Sequence, residues 1–136
     1  MDAKRLIPLA GLVGACAPYT GDWELTSLAG VDGTDTYVVS GSTGDMSIKG
    51  KKVELDFNIG GYAPFSGDGE VDDNGGGEFD LEISGSLSYY GLPLPAQVAA
   101  ECEVDGDELT CAASFSYADG TGEGYLLPLL VAFERD

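Results

Sequence analysis

The chemistry open to this chain is that of thiols and carboxylates. Its 136 residues hold 24 Asp and Glu, 3 Cys, 6 Lys and Arg, and no His. Without imidazole it lacks the usual general base, the commonest metal ligand, and the partner of Ser-His and Cys-His nucleophiles. Paired carboxylates could still do acid–base work, but no Asp/Glu pair stands out from the acidic background. The acids fall mostly at turns and at alternate outward positions, where burial cannot tune them. The expectation is a non-enzyme without cofactor. The stretch Asp68–Asp80 has the oxygen density that suits calcium. It does not fit an EF-hand loop, because counting from Asp68 puts Asp73 where Gly is required, and counting from Asp72 puts Ile83 where Glu is required. It reads as a solvated hairpin turn, and no metal site is expected. A formal charge of −18 excludes nucleic acid, whose phosphates need clustered Lys and Arg.

The N-terminus carries an address. Lys4 and Arg5 precede an apolar run, Leu6–Ala15, which has the form of a secretory signal and is too short for a permanent span. Val13-Gly14-Ala15-Cys16 resembles the signal of bacterial lipoproteins. The resemblance implies cleavage before Cys16 and a diacylglycerol thioether on its sulfur. The chain then divides into a signal peptide (1–15), a tether (16–20) and one domain (21–136). Ala17 after the lipid-bearing Cys resembles outer-membrane sorting. Losing residues 1–15 removes Asp2, Lys4 and Arg5, leaving 23 acids against 4 bases, or −19. In an oxidising compartment the two remaining thiols should pair. Cys102 and Cys111 flank a segment reading as strand, Asp-Gly turn, strand, which sets 102 opposite 111. Such a short loop stabilises by roughly 2–3 kcal/mol when closed.

From Gly21 onward apolar residues alternate with period two between Gly/Asp/Asn clusters, the pattern of half-buried strands. A hairpin at Gly50-Lys51 sets Ile48 opposite Val53 and Met46 opposite Leu55. The alternation in the last strands sets Tyr117 opposite Tyr125 and Leu109 opposite Phe133. A meander this long must manage its edges, and closure into a barrel removes them.

Gly21-Asp22-Trp23 at the head of the first strand resembles the G-x-W of the lipocalin and calycin barrels. In that family a basic residue after the last strand packs over the Trp and closes the barrel floor, and Arg135 stands where it would be. The resemblance implies an all-β, eight-stranded antiparallel up-and-down barrel, with Gly21, Trp23 and Arg135 as closing residues. Eight strands require Tyr37–Ser40 and Asp45–Lys49 to act as one strand bent at Gly41–Gly44. Short turns (50–51, 72–77, 105–108) then lie at the Trp23 end, and longer connections (29–35, 60–66, 88–96, 118–124) form a mouth.

Aromatic residues between Gly and Pro breakers mark that mouth. Tyr62, Phe65, Tyr89, Tyr90, Tyr117 and Tyr125 are expected to line it and admit a small hydrophobic ligand. The expected function is non-catalytic binding or carriage of such a ligand by a lipoprotein held to the membrane through Cys16. One alternative is a protein-interaction module, since small exported barrels also resemble bacterial protease inhibitors. Another is a structural surface lipoprotein with a filled core. Lys49, Lys51 and Lys52 cluster at the floor hairpin. A tether this short, at most roughly 20 Å, should turn that end to the bilayer, with the lysines toward anionic head groups.

Overall fold

The computed structural model describes residues 17–61, 63–119 and 121–136. Nine strands, and no helix, occur among them. In chain order they are β1 (Gly21–Asp32), β2 (Asp35–Val38), β3 (Thr43–Lys49), β4 (Lys52–Ile59), β5 (Ala63–Gly75), β6 (Glu78–Tyr89), β7 (Leu92–Asp105), β8 (Glu108–Ala118) and β9 (Gly124–Arg135). Neighbours in one sheet of order β9-β8-β7-β6-β5-β4-β3-β1-β2 pair antiparallel, and β9 pairs with β1 to close it. β2 and β3 share one edge of β1: β2 pairs with residues 29–32 and β3 with residues 21–24. Counted as one interrupted strand, they make the barrel eight-stranded. Gly41 supplies positive φ in the interruption, where Ser42 Oγ accepts from Gly60 N and donates to the Val39 carbonyl.

Register follows the alternation. Ile48 faces Val53, Met46 faces Leu55, Cys102 faces Cys111, Tyr117 faces Tyr125 and Leu109 faces Phe133. A one-residue slip would turn each apolar set outward, so burial of one face fixes the pairing. β5 and β6 approach closely where side chains are missing. A Cβ on Gly69 would collide with the Glu82 carbonyl, and one on Gly85 with that of Ser66. Glycine there lets β5 and β6 press together and bend, as a closing sheet must.

The strands run further than expected, so the mouth is built from tight turns. The connections are residues 33–34, 60–62, 90–91 and 119–123, against the longer loops inferred from composition. Apolar residues next to Gly and Pro looked like loop, but they extend the ladders instead. Three prolines mark where those ladders stop. Pro64 immediately precedes the first β5–β6 pair (Phe65–Leu87), Pro95 the first β7–β8 pair (Ala96–Tyr117), and Pro128 the first β9–β1 pair (Leu129–Gly30). Proline has no N–H to extend a ladder. Beyond these points the mouth separates into hairpins.

Candidate functional site

The floor is closed by both chain ends. Trp23 is fully buried, and Arg135, its register partner in β9, holds its guanidinium carbon 4.3 Å from the ring centroid. This is a cation–π contact. The guanidinium also donates from Nη1 to the Thr20 carbonyl (2.8 Å) and from Nη2 to the Pro18 carbonyl (2.7 Å), and its Nε lies 3.3 Å from Asp107 Oδ1. Trp23 Nε1 donates to the Tyr19 carbonyl at 2.9 Å. Gly21 has φ +134°, and a Cβ there would stand 3.0 Å from Arg135 Nη1, so the glycine is required by backbone and neighbour together. Residues 17–20, expected as a tether, therefore lie against the barrel. Tyr19 is buried, packs on Phe79 with centroids 4.3 Å apart, and donates its hydroxyl to Asp73 Oδ2 at 2.9 Å. Burial first, and then the Asp73 carboxylate, push its phenol up to about 12. Cys16 lies outside the described residues.

The interior is filled. Phe57, Phe65 and Phe115 meet with centroids 5.1–5.7 Å apart and occupy the mouth half. Cys102 and Cys111 form a disulfide that faces inward near the floor. The interior void among the described residues measures about 30 Å³, walled by apolar side chains such as Leu25, Met46, Leu129 and Phe133. Pockets for small molecules run from about 300 Å³ upward.

The expected rim residues separate. Phe65 is core. Tyr117 and Tyr125 stack at 5.2 Å on the β8–β9 hairpin, and Tyr89 and Tyr90 meet edge-on at 4.5 Å at the β6–β7 tip. Tyr62 lies outside the described residues. Asp119 orders the β8–β9 turn: its Oδ1 accepts from Thr121 Oγ1, Thr121 N and Glu123 N, and its Oδ2 from Tyr125 Oη. The Thr121 hydroxyl, followed by its amide, holds the Asp119 carboxyl below the ordinary range, while the same carboxylate raises the Tyr125 phenol. Among the described residues no three ligand-type side chains gather as a metal site would require, in the acidic β5–β6 stretch or elsewhere.

The large exposed apolar groups form two clusters, Tyr89, Tyr90 and Leu92 at the β6–β7 tip and a larger one beside β9, which the sequence reading missed. Tyr37, Val38, Tyr125, Leu126, Leu127 and Leu130 all flank the seam where β9 parts from the β1–β2 hairpin. The signal was present in Leu126–Phe133, which is apolar at both parities rather than alternating. One face of such a strand enters the core, and the other is left on the wall.

No family model and no curated protein sequence matches the chain. Among solved structures, Rv2717c from M. tuberculosis is similar at 18% identity and a TM-score of 0.47, covering 88% of this chain and 94% of that one.

Proposed function

We propose that this chain is a non-catalytic bacterial envelope lipoprotein whose lipocalin-like barrel serves as a rigid scaffold for protein interaction. The reading rests on one juxtaposition: an interior with about 30 Å³ to spare, beside a wall that leaves large apolar side chains in water. Carriage of a small hydrophobic ligand would require the Phe57–Phe65–Phe115 cluster to move aside, whereas a partner on the wall requires nothing to move. Surface apolar clusters of this kind mark interaction sites more often than scattered single residues do.

The anchor in this reading is diacylglycerol on Cys16, in the outer membrane. Pro18 and Thr20 are hydrogen-bonded to Arg135, so the slack between lipid and barrel is one or two residues rather than five. The floor would then sit at the bilayer. Lys49, Lys51 and Lys52 share that end with Asp73, Asp105 and Asp107, so the acyl chains hold the protein there and the lysines mainly offset neighbouring carboxylates. Native mass spectrometry of the protein extracted from a bacterial membrane fraction tests this. The expected species begins at an acylated Cys16 and carries no non-covalent small molecule. A co-purifying hydrophobic compound in stoichiometric amount would restore the carrier reading, and an intact residue 1–15 segment would remove the anchor.

A further inference from the structure

The outer wall changes character along a single register row. Reading across β6, β7, β8, β9, β1 and β2, the outward residues are Asp80, Glu101, Ala112, Leu130, Ala29 and Val38. Carboxylates occupy the first two positions and hydrocarbon the last four. The next row toward the mouth repeats the change, from Glu82 through Ala99 and Ser114 to Pro128. Small residues on β8 leave shallow depressions between the acidic flank and the Leu130 ridge. The two ends of the apolar strip are also anionic. Asp32 and Asp35 stand at the hairpin tip, Asp119 and Glu123 at the β8–β9 turn, and Glu24 and Glu134 toward the floor. The four bases among the described residues, Lys49, Lys51, Lys52 and Arg135, all lie at or beside the floor.

Resting on the interaction reading above, we infer that the strip formed by β9 and the β1–β2 hairpin docks a cationic amphipathic segment of a partner protein. Apolar side chains of that segment would cover Leu126, Leu130 and Val38, and flanking Lys or Arg would meet Glu82 and Glu101 on one border and Asp32 and Asp35 on another. Charge decides the occupant. A second copy of a chain carrying −18 would bring carboxylates against carboxylates along the acidic flank and at both ends of the strip. A basic partner is drawn toward those borders, and only the apolar strip gives it register.

The probe is a fluorescein-labelled 18-residue peptide of leucine and lysine with one leucine face, read by anisotropy on the full chain. A lysine–glycine peptide of equal charge serves as control. The leucine–lysine peptide should bind at least tenfold tighter than the control. The double variant L126D/L130D should weaken its binding at least tenfold, and the same two charges placed at exposed serines of β6, on the opposite wall (S84D/S86D), should not. Sign makes the test strict. If attraction to a polyanion were the whole effect, L126D/L130D would bind the peptide more tightly, and equal or tighter binding overturns the inference. Dimeric protein that L126D/L130D converts to monomer overturns it in favour of self-association. Circular dichroism and urea unfolding confirm that each variant is folded, as expected for substitutions at exposed positions. A bound small molecule in the mass spectrum strikes the interaction reading itself, whereas failure of the peptide strikes only this choice of partner.

Discussion

The two ends of the barrel handle their seams in opposite ways. At the floor each hairpin turn is stitched to the strand of its neighbour: Val71 N donates to the Lys51 carbonyl, Val104 N to that of Gly77, and Arg135 N to that of Asp107, each at 2.9 Å. The Arg135 side chain and residues 17–20 then close the centre. At the mouth three of the seams that no mouth turn joins end at Pro64, Pro95 and Pro128, and Ser88, Ala118 and Val31 opposite them are paired only on their other side. The barrel is held from one end. The other end is a set of hairpins whose edges proline guards against further pairing, as exposed edges must be guarded. Stability should therefore concentrate at the floor, leaving the mouth and its wall free to carry surface apolar groups.

The largest effect tests that division directly. Trp23 is enclosed by Arg135, the Tyr19 carbonyl and the core, so Trp23→Ala should cost about 3–5 kcal/mol in urea unfolding. Leu127, inward-facing at the mouth but 37% exposed, should cost less, about 1–2 kcal/mol when cut to Ala, since only part of it leaves water on folding and solvent can fill the space it vacates. Similar losses at the two sites would break the comparison.

The closing contacts at the floor were legible because they rest on residues that are scarce. The chain has one Trp, and one Arg beyond residue 15, so a G-x-W at the first strand and an Arg at the last could be set against each other by strand parity alone. The cross-strand cysteines were legible because an Asp-Gly turn fixes register over so short a loop. Two things escaped. Tyr19 precedes the first strand, and nothing in its sequence neighbourhood says that Asp73, 54 residues away, will receive its hydroxyl. The rim failed for a physical reason. Gly and Pro beside aromatics read as loop, yet Pro64, Pro93, Pro95 and Pro128 sit inside strands, tolerated because each is paired on one side only. That lengthened the strands, drew Phe65 into the core, and put Leu126 and Leu130 on a wall rather than in a loop.

A smaller effect sharpens the floor. Tyr19→Phe keeps the ring on Phe79 and deletes the bond to Asp73, so it should cost about 1 kcal/mol near neutrality. Its pH dependence has a definite sign. The folded phenol titrates at about 12 and the unfolded one at about 10. The raised value means that the neutral phenol's contribution is fully present below pH 10 and is lost as pH climbs through 12. The wild type alone loses stability over that interval, so its unfolding free energy should fall to meet that of Tyr19→Phe and then drop below it. A constant gap across it would show that the hydroxyl does not titrate from a closed floor.

The smallest effect has the opposite sign and lies at the mouth. Tyr90 has φ +51° and precedes Gly91 at φ +78°, so the two-residue turn between β6 and β7 holds both central residues in the left-handed region. Such turns favour Asn-Gly, and a tyrosine pays about 1–2 kcal/mol for that conformation. The side chain is 87% exposed, and its return is the edge-on contact with Tyr89, worth about 0.5–1.5 kcal/mol at most for an aromatic pair. Tyr90→Asn should thus stabilise the barrel by a few tenths of a kcal/mol, measured as a rise in the urea midpoint at unchanged slope. A loss of 1 kcal/mol or more would mean that the aromatic pair braces the mouth, and the contrast between a bound floor and a loose rim would have to be redrawn at the β6–β7 hairpin.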